Sequence, residues 1–199
     1  GLLWCPEVRD AKDAEDLIRR LQTAVFSPLT MINGWYIANP PWKQQDRAKN
    51  NRGELAPGWE ELERQCRAII GWRMQMIPYL LAAFERYAAE GIPPFRALVL
   101  DNPDDHRLFS VDDQYVVGDR MVVAPFFAGD PARKVVLPPG QWCDFWTGES
   151  IDGGQTVVVK ASLDKIPVYV KSGSIVPWAD VGASTHDPAT RRLTVRVYG

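Results

Sequence analysis

Apolar residues follow two different periods in the first third of the chain. Between Asp13 and Phe26 they recur every three or four positions with acidic residues in the first turn, which predicts an amphipathic helix. Asp10 or Asp13 is available as its N-cap. The apolar run from Leu29 to Ile32 follows and stops at Asn33-Gly34. Such a run predicts a buried parallel strand whose carboxyl end opens into a loop.

A long polar loop and a second helix complete the first half. The loop from Trp35 to Trp59 is rich in Pro, Gly, Asn and charge, and loops of that length in compact proteins are usually functional or mobile. Helical spacing returns from Glu60 to Ala89 and ends before Gly91, and Pro78 is expected to kink or divide this helix. The order helix, strand, loop, helix predicts an α/β fold with a parallel sheet.

The period changes near Asp101, where helical spacing ends and short β-prone runs separated by turns begin. The runs are Gln114 to Val116, Met121 to Pro125, Lys134 to Leu137, Gln141 to Phe145, Thr156 to Val159 and Ile166 to Val170. They predict an antiparallel sandwich or barrel. A last alternating run, Leu193 to Tyr198, predicts the first strand of a third unit. We therefore expect domains at residues 1–103, 104–178 and 179–199.

Composition and charge limit the kinds of molecule that the chain is expected to bind. With 46% hydrophobic and 24% charged residues the chain is expected to be globular, and its formal net charge of −2 is spread along the sequence. No basic cluster favours nucleic acid, and no apolar run is long enough to cross a membrane. A neutral small molecule is the expected partner. The three cysteines match no metal-ligand spacing and are expected to be buried or half-buried free thiols. The abrupt ends favour a segment of a longer polypeptide.

The residues themselves offer no complete catalytic constellation, no metal site and no cofactor motif. Both histidines stand in polar, loop-like stretches, and the acidic stretch from Asp101 to Asp105 lacks the spacing of an EF-hand. Tryptophans are the more suggestive feature, because Trp35 and Trp42 stand in the long loop after the predicted strand. Indole rings stack on the apolar faces of sugars, but these two could equally pack the loop onto its own domain.

Three blocks in the second half resemble the C-terminal β-sandwich signature of glycoside hydrolase family 31. They read DQYVVGDRMVVAP, LPPGQWCDFWTGE and LDKIPVYVKSGSIVPW, in the family's order. In the first half, IRRLQTAVFSPL and GWRMQMIPYLLAAFERYAAEGIPPFRAL resemble two further family segments. The resemblance implies the C-terminal part of a (β/α)8 barrel (1–103), a proximal β-sandwich (104–178) and the start of a distal β domain (179–199).

The resemblance also implies a function and a set of site residues. The family acts on α-linked sugars with retention, using two aspartates that would lie upstream of this chain, so no catalytic residue is expected here. Met31 and Asn33 fall on the Arg and the His of the family's 'R.H' pair, and Leu2 falls on its aromatic. We expect Asn33, Trp35, Trp42, Leu2 and Met31 to bind the substrate, an oligosaccharide or small α-glycoside. The alternatives are a transglycosidase and a non-catalytic carbohydrate-binding fragment.

Overall fold

The computed structural model describes residues 7–199. Its α-helices are α1 (Ala14–Val25), α2 (Arg47–Asn51) and α3 (Trp59–Glu90). The strands in chain order are β1 (Glu7–Val8), β2 (Met31–Ile32), β3 (Phe95–Arg96), β4 (Tyr115–Val117), β5 (Met121–Val123), β6 (Ala132–Leu137), β7 (Gln141–Asp144), β8 (Ser150–Asp152), β9 (Gln155–Lys160), β10 (Val168–Lys171), β11 (Ser174–Ala179) and β12 (Leu193–Tyr198). Most strands are antiparallel, and the three α-helices of residues 7–199 all precede β3.

The predicted first helix is confirmed as α1. Asp13 is its N-cap, because the side chain of Asp13 accepts a hydrogen bond of 2.9 Å from the amide of Asp16. The apolar face predicted from the spacing is buried, with Leu17, Ile18 and Leu21 almost fully enclosed. Helix α1 connects two short strands, β1 and β2, that pair in parallel.

The strand predicted from Leu29 to Ile32 is shorter and more exposed than expected. Only Met31 and Ile32 are extended, and Leu29 and Met31 are 62% and 47% exposed. The prediction of a buried strand is therefore wrong within this chain. Its parallel pairing is correct, but β1 is the only strand paired with it among residues 7–199, so part of its apolar surface has no covering neighbour.

Helix α3 is a single helix of 32 residues. The prediction that Pro78 could divide it is wrong, because buried Met76 and Tyr79 pack the helix on both sides of the proline. Gly91 closes the helix in the left-handed conformation at φ 74°, as its position after the last apolar turn predicted. The helix packs against α1 at one side and against β11 at another.

The second half is built on a six-stranded antiparallel sheet in the order β3-β4-β5-β10-β7-β8. Alternate residues of its strands point to two different cores, as the pleat of a sheet requires. Val117, Val123 and Val168 join the core shared with α1 and α3. Val116 and Val122 face a second core that includes residues of β6. The sheet is thus buried on both faces.

Two antiparallel strand pairs complete the structure. The pair β6–β9 covers the second face of the six-stranded sheet, which gives this half a sandwich-like arrangement. The pair β11–β12 is joined over six residues of each strand, from Ser174 opposite Tyr198 to Ala179 opposite Leu193. No α-helix lies between residues 114 and 170, as predicted. Trp142, Phe145 and Trp146 fill or flank the two cores, also as predicted.

A buried polar junction joins α3 to the six-stranded sheet. The hydroxyl of Tyr79 donates to the carbonyl of Val117 at 2.8 Å and accepts from the amide of Arg120 at 3.1 Å, while burial raises the pKa of this phenol. Gly118 adopts φ 60° in the turn between these groups, and a Cβ there would lie 2.4 Å from the Tyr79 hydroxyl. The tight fit leaves room only for glycine.

Arg96 holds the same junction from the side of β3. Its guanidinium donates to both carboxylate oxygens of Asp101 at 2.6 and 2.7 Å. It also donates to the carbonyls of Pro93 and Gly118 at 2.9 and 2.7 Å. Asp119, which pairs with Arg86 on α3, lies 3.5 Å from Arg96. Arg96, which is only 5% exposed, therefore connects the segment after α3, β3 and the turn after β4.

Cysteine burial agrees with the sequence prediction where the structure describes it. Cys66 and Cys143 are buried free thiols, and burial raises the pKa of Cys66 to about 12. Cys5 lies outside the described residues. Among residues 7–199, none of the helices has the length and apolar character needed to cross a membrane.

Candidate functional site

A polar cavity of about 170 Å³ lies where the carboxyl ends of β1 and β2 meet. Its walls include Arg9, Asp10, Asn33, Tyr36, Gln45 and Arg47, and we call it the Asn33 cavity. Both strands run in the same direction, so the residues that follow them reach the same edge. In parallel α/β folds this is the edge where ligands bind.

Asn33 is held in a defined orientation at this edge. Its backbone amide continues the β1–β2 pairing by donating to the carbonyl of Val8 at 3.1 Å. Its side-chain amide donates to Glu7, and its side-chain oxygen accepts from the backbone amide of Trp35 at 2.9 Å. A primary amide offers two donors and two acceptor positions. One donor and one acceptor position of Asn33 therefore remain for a ligand.

Arg9 and Asp10 belong to this site, although the sequence analysis did not select them. Arg9 lies 3.1 Å from the second carboxylate oxygen of Glu7 and 3.8 Å from Asp10. Asp10 has φ 47°, a left-handed conformation that is uncommon outside glycine and often occurs at functional sites. Because Asp13 caps α1, Asp10 is not needed as the cap. No sequence signal marked it, because the two-residue strand β1 that precedes it is too short to show a strand period.

Arg73 of α3 fixes the turn that leads from α1 into β2. Its guanidinium donates to the backbone carbonyls of Val25, Ser27 and Pro28 at 3.2, 2.6 and 3.0 Å. Burial lowers the pKa of Arg73. These carbonyls belong to the last residue of α1 and to the turn after it, where the helix dipole favours a positive charge. The position of β2, and of Asn33 after it, is thus set by a residue of α3.

The long loop after β2 has internal structure that the sequence did not predict. It contains the five-residue helix α2, which Asp46 caps by accepting from the amide of Lys49, a bond that lowers the pKa of this carboxyl group. Asn50 is fully buried at the centre of the loop. Its amide accepts from the backbone of Asn39 at 2.7 Å and donates to the carbonyls of Asn39 and Gln44 at 3.0 and 2.8 Å. The loop is therefore folded upon itself.

The structure brings only part of the predicted substrate-binding set together. Asn33 lines the cavity, and Trp35 stands beside it, 80% exposed, with its ring edge-on to Tyr36 at 6.3 Å. Met31 lies on β2, before Asn33, and is exposed. Trp42 is half-buried and lines a different cavity, formed with α3. Leu2 lies outside the described residues.

The described part of the chain contains no cluster of side chains suited to bind a metal ion. No group of three or more His, Cys, Asp or Glu side chains there could hold an ion. Around the Asn33 cavity the carboxylate of Glu7 has both oxygens engaged, one by Asn33 and one by Arg9. The arrangement therefore offers hydrogen-bond donors and acceptors for a neutral polar ligand, together with the aromatic faces of Trp35 and Tyr36.

Comparison with known sequences identifies the second half of the chain. Residues 91–176 match the glycosyl hydrolase family 31 C-terminal domain. This region begins at the end of α3 and contains the six-stranded sheet and the β6–β9 pair. Alpha-glucosidase 2 of Bacillus thermoamyloliquefaciens is 35% identical over 140 residues, which are 70% of this chain and 18% of that protein.

Solved structures extend the similarity to almost the whole chain. The family 31 dextranase of Flavobacterium johnsoniae, complexed with glucose, superposes with a TM-score of 0.71 at 31% identity over 94% of this chain. The family 31 alpha-xylosidase of Xanthomonas citri superposes with a TM-score of 0.77 at 26% identity, again over 94%. The chain covers 22% and 19% of these two proteins, about a fifth of their length.

The fold, the sequence blocks and the relatives define a class of carbohydrate-active proteins whose named members include an alpha-glucosidase, a dextranase and an alpha-xylosidase. The chain belongs to glycoside hydrolase family 31 and carries its C-terminal domain.

Proposed function

We propose that this chain is the C-terminal part of a retaining α-glycosidase that acts on α-glucosides or α-xylosides. In this proposal the chain supplies one wall of the sugar site and no catalytic residue. The observation that supports it most directly is the pair Asn33 and Asp10, which meet in one cavity at the carboxyl ends of two parallel strands. Membership of a family that contains an alpha-glucosidase and an alpha-xylosidase supports the substrate class.

The proposal includes an architecture for the longer protein. Residues 1–103 would form the last part of a (β/α)8 barrel, residues 104–178 the proximal β-sandwich and residues 179–199 the start of a distal β domain. The parallel unit β1-α1-β2 followed by α3 has the strand and helix order of a barrel. The proposed boundary at residue 103 falls in the segment between β3 and β4, two strands that pair in one sheet.

Retention requires two carboxyl groups on opposite sides of the scissile bond, about 5–5.5 Å apart. One attacks the anomeric carbon, and the other protonates the leaving oxygen and then activates water. Both would be aspartates of upstream barrel strands. Asn33, with one donor and one acceptor position left, would bind sugar hydroxyl groups as the ring flattens in the transition state. Trp35, exposed beside the cavity, would stack on a sugar face.

The proposed mechanism is tested with the longer protein and with this chain side by side. We expect the longer protein to release a product of retained configuration from an aryl α-glucoside or α-xyloside, observed by proton NMR of the anomeric signal. The 199-residue chain alone should give no turnover, because the paired carboxyl groups supply many orders of magnitude in rate. Turnover by the purified chain, or an inverted product, would refute the mechanism. Transfer to a sugar acceptor in place of water would identify the transglycosidase alternative.

The assignment of Asn33 has its own test. In the longer protein, Asn33→Ala should lower kcat/KM about tenfold to a hundredfold, which corresponds to about 1–3 kcal/mol for a buried partner left unpaired. The same substitution at Asn51, an exposed residue of α2, is the matched control and should leave the kinetics unchanged. If the folded Asn33→Ala variant has normal kcat/KM, Asn33 has only a structural role, through its hydrogen bonds with Glu7 and the backbone amide of Trp35.

A further inference from the structure

A second cavity, of about 280 Å³, lies between α3, the loop after β2 and the segment that follows β11. Its walls include Trp42, Glu63, Arg67, Gly71, Met74 and Val181, and we call it the Trp42 cavity. It shares no lining residue with the Asn33 cavity. The two cavities are therefore separate. Trp35 stands beside the Asn33 cavity and Trp42 lines the second cavity, although both were predicted to bind the same substrate.

One face of α3 forms the long wall of the Trp42 cavity. Glu63, Arg67, Gly71 and Met74 are three or four positions apart, so they lie on the same side of the helix. Gly71 lies in the middle of this wall, and a Cβ there would already be in van der Waals contact, at 3.4 Å, with a methyl group of Val181, so a larger side chain would enter the cavity. A glycine inside a helix lowers helix stability. Both Gly71 and Trp42 line the cavity.

The opposite wall depends on a second glycine. Gly182 follows Val181 on the segment after β11, and a Cβ there would lie 2.7 Å from both Asp187 and Thr190. Asp187 in turn accepts from the amides of Ala183 and Ala189, at 3.0 and 2.9 Å, and so fixes the segment that lines the cavity. This wall is therefore a defined turn.

The chemistry of the walls combines an aromatic ring, apolar groups and one charged pair. Glu63 and Arg67 lie 3.4 Å apart and contribute acceptor and donor groups. The indole nitrogen of Trp42 is buried without an acceptor among the described residues, an arrangement that is uncommon in proteins. Sugars match such walls, because one face of the ring is apolar and its edges carry hydroxyl groups that pair with carboxylate and guanidinium groups.

From these observations we propose that the Trp42 cavity is a second carbohydrate site that binds one pyranose unit of an oligosaccharide, apart from the Asn33 cavity. The volume lies just below the range of about 300–1,000 Å³ typical of drug-sized ligands, which suits a single sugar ring. The choice of sugar as ligand rests on the proposed function, whereas the location rests on the cavity itself. A site here would hold a chain of sugars beside the enzyme without taking part in bond cleavage.

The test is a titration of the 199-residue chain with isomaltotriose, followed by two-dimensional NMR of backbone amides and indole N–H groups. We expect shifts at Trp42, Gly71 and Gly182. Trp42→Ala should weaken this binding about tenfold or more, since one stacking ring is lost. Gly71→Leu, which fills the cavity and leaves Trp42 in place, should abolish it. Trp35→Ala is the matched control and should change the dissociation constant of this site less than twofold.

Each result has a distinct meaning. Absence of shifts at the Trp42 cavity, or shifts there that survive Gly71→Leu in a folded chain, would overturn the second site. Shifts confined to Asn33 and Tyr36 would overturn it as well, while leaving the proposed function intact. If the longer protein shows no turnover but isomaltotriose still binds at Trp42, the proposed function is refuted and the second site stands. Circular dichroism of each variant verifies that it is folded.

Discussion

Replacement of Phe145 by alanine should destabilise the chain by about 3–5 kcal/mol, the range for removing a fully buried phenylalanine from a core. The Phe145 ring lies where three elements meet. Its centroid is 4.8 Å from the ring of Trp146, 5.2 Å from that of Trp178 and 6.0 Å from that of Tyr198. The guanidinium of Arg196 covers it at 5.1 Å. The surrounding large rings cannot collapse into the space, so the upper part of the range is expected.

Urea denaturation followed by tryptophan fluorescence measures this change. Phe127→Ala is the control, because that ring is 65% exposed and its removal should change the free energy of unfolding by about 0.5 kcal/mol or less. A loss below about 1 kcal/mol for Phe145→Ala would contradict the packing described for the aromatic cluster.

Replacement of Arg96 by methionine should cost about 3 kcal/mol. Removing one partner of a buried ion pair typically costs about 3–5 kcal/mol, because the other charge and its hydrogen-bond partners remain buried. Here the lower end applies, since the side chain of Asp101 is 34% exposed and can recover water as a partner. The carbonyls of Pro93 and Gly118 cannot recover partners as easily, because Arg96 covers them.

The matched control is Arg107→Met. Arg107 also pairs with an aspartate, Asp105, at 2.5 Å, but its side chain is 41% exposed, and such pairs contribute about 0–1 kcal/mol. Arg96→Lys separates charge from geometry, because lysine keeps the charge but cannot reproduce the planar fork. Equal stabilities of Arg96→Met and Arg107→Met would show that the four-way contact of Arg96 does not stabilise the junction.

The sequence predicted those elements in which local pattern and tertiary packing agree. In helix α1 the apolar spacing, the capping aspartate and the buried face all indicate the same helix. Strands β4 and β5 are continuous apolar runs, because both faces of their sheet are covered, and such runs are visible in the sequence. The resemblance to family 31, based on these same strands, was confirmed.

What could not be predicted depends on contacts distant in sequence. Strands β1 and β3 are two residues long, too short to show a period, and are defined by pairing with β2 and β4. Helix α2 is polar and depends on the buried amide of Asn50. In the site, Asp10 was interpreted as a possible helix cap because sequence alone could not place it beside Asn33. Nor could sequence distinguish the surroundings of Trp35 from those of Trp42, since both belong to one loop.

Helix α3 has a consequence for recombining parts of this chain with those of its relatives. At 32 residues it extends over roughly 48 Å. Arg73 sets the turn before β2, and Tyr79 and Arg86 bind the turn after β4. A chimera with its breakpoint between β3 and β4 would pair a helix from one parent with a sheet from the other, across contacts that tolerate little mismatch. An exchange that transfers α3 and the sheet together would keep these contacts within one parent. Residues from different parents would then meet where α1 packs against α3.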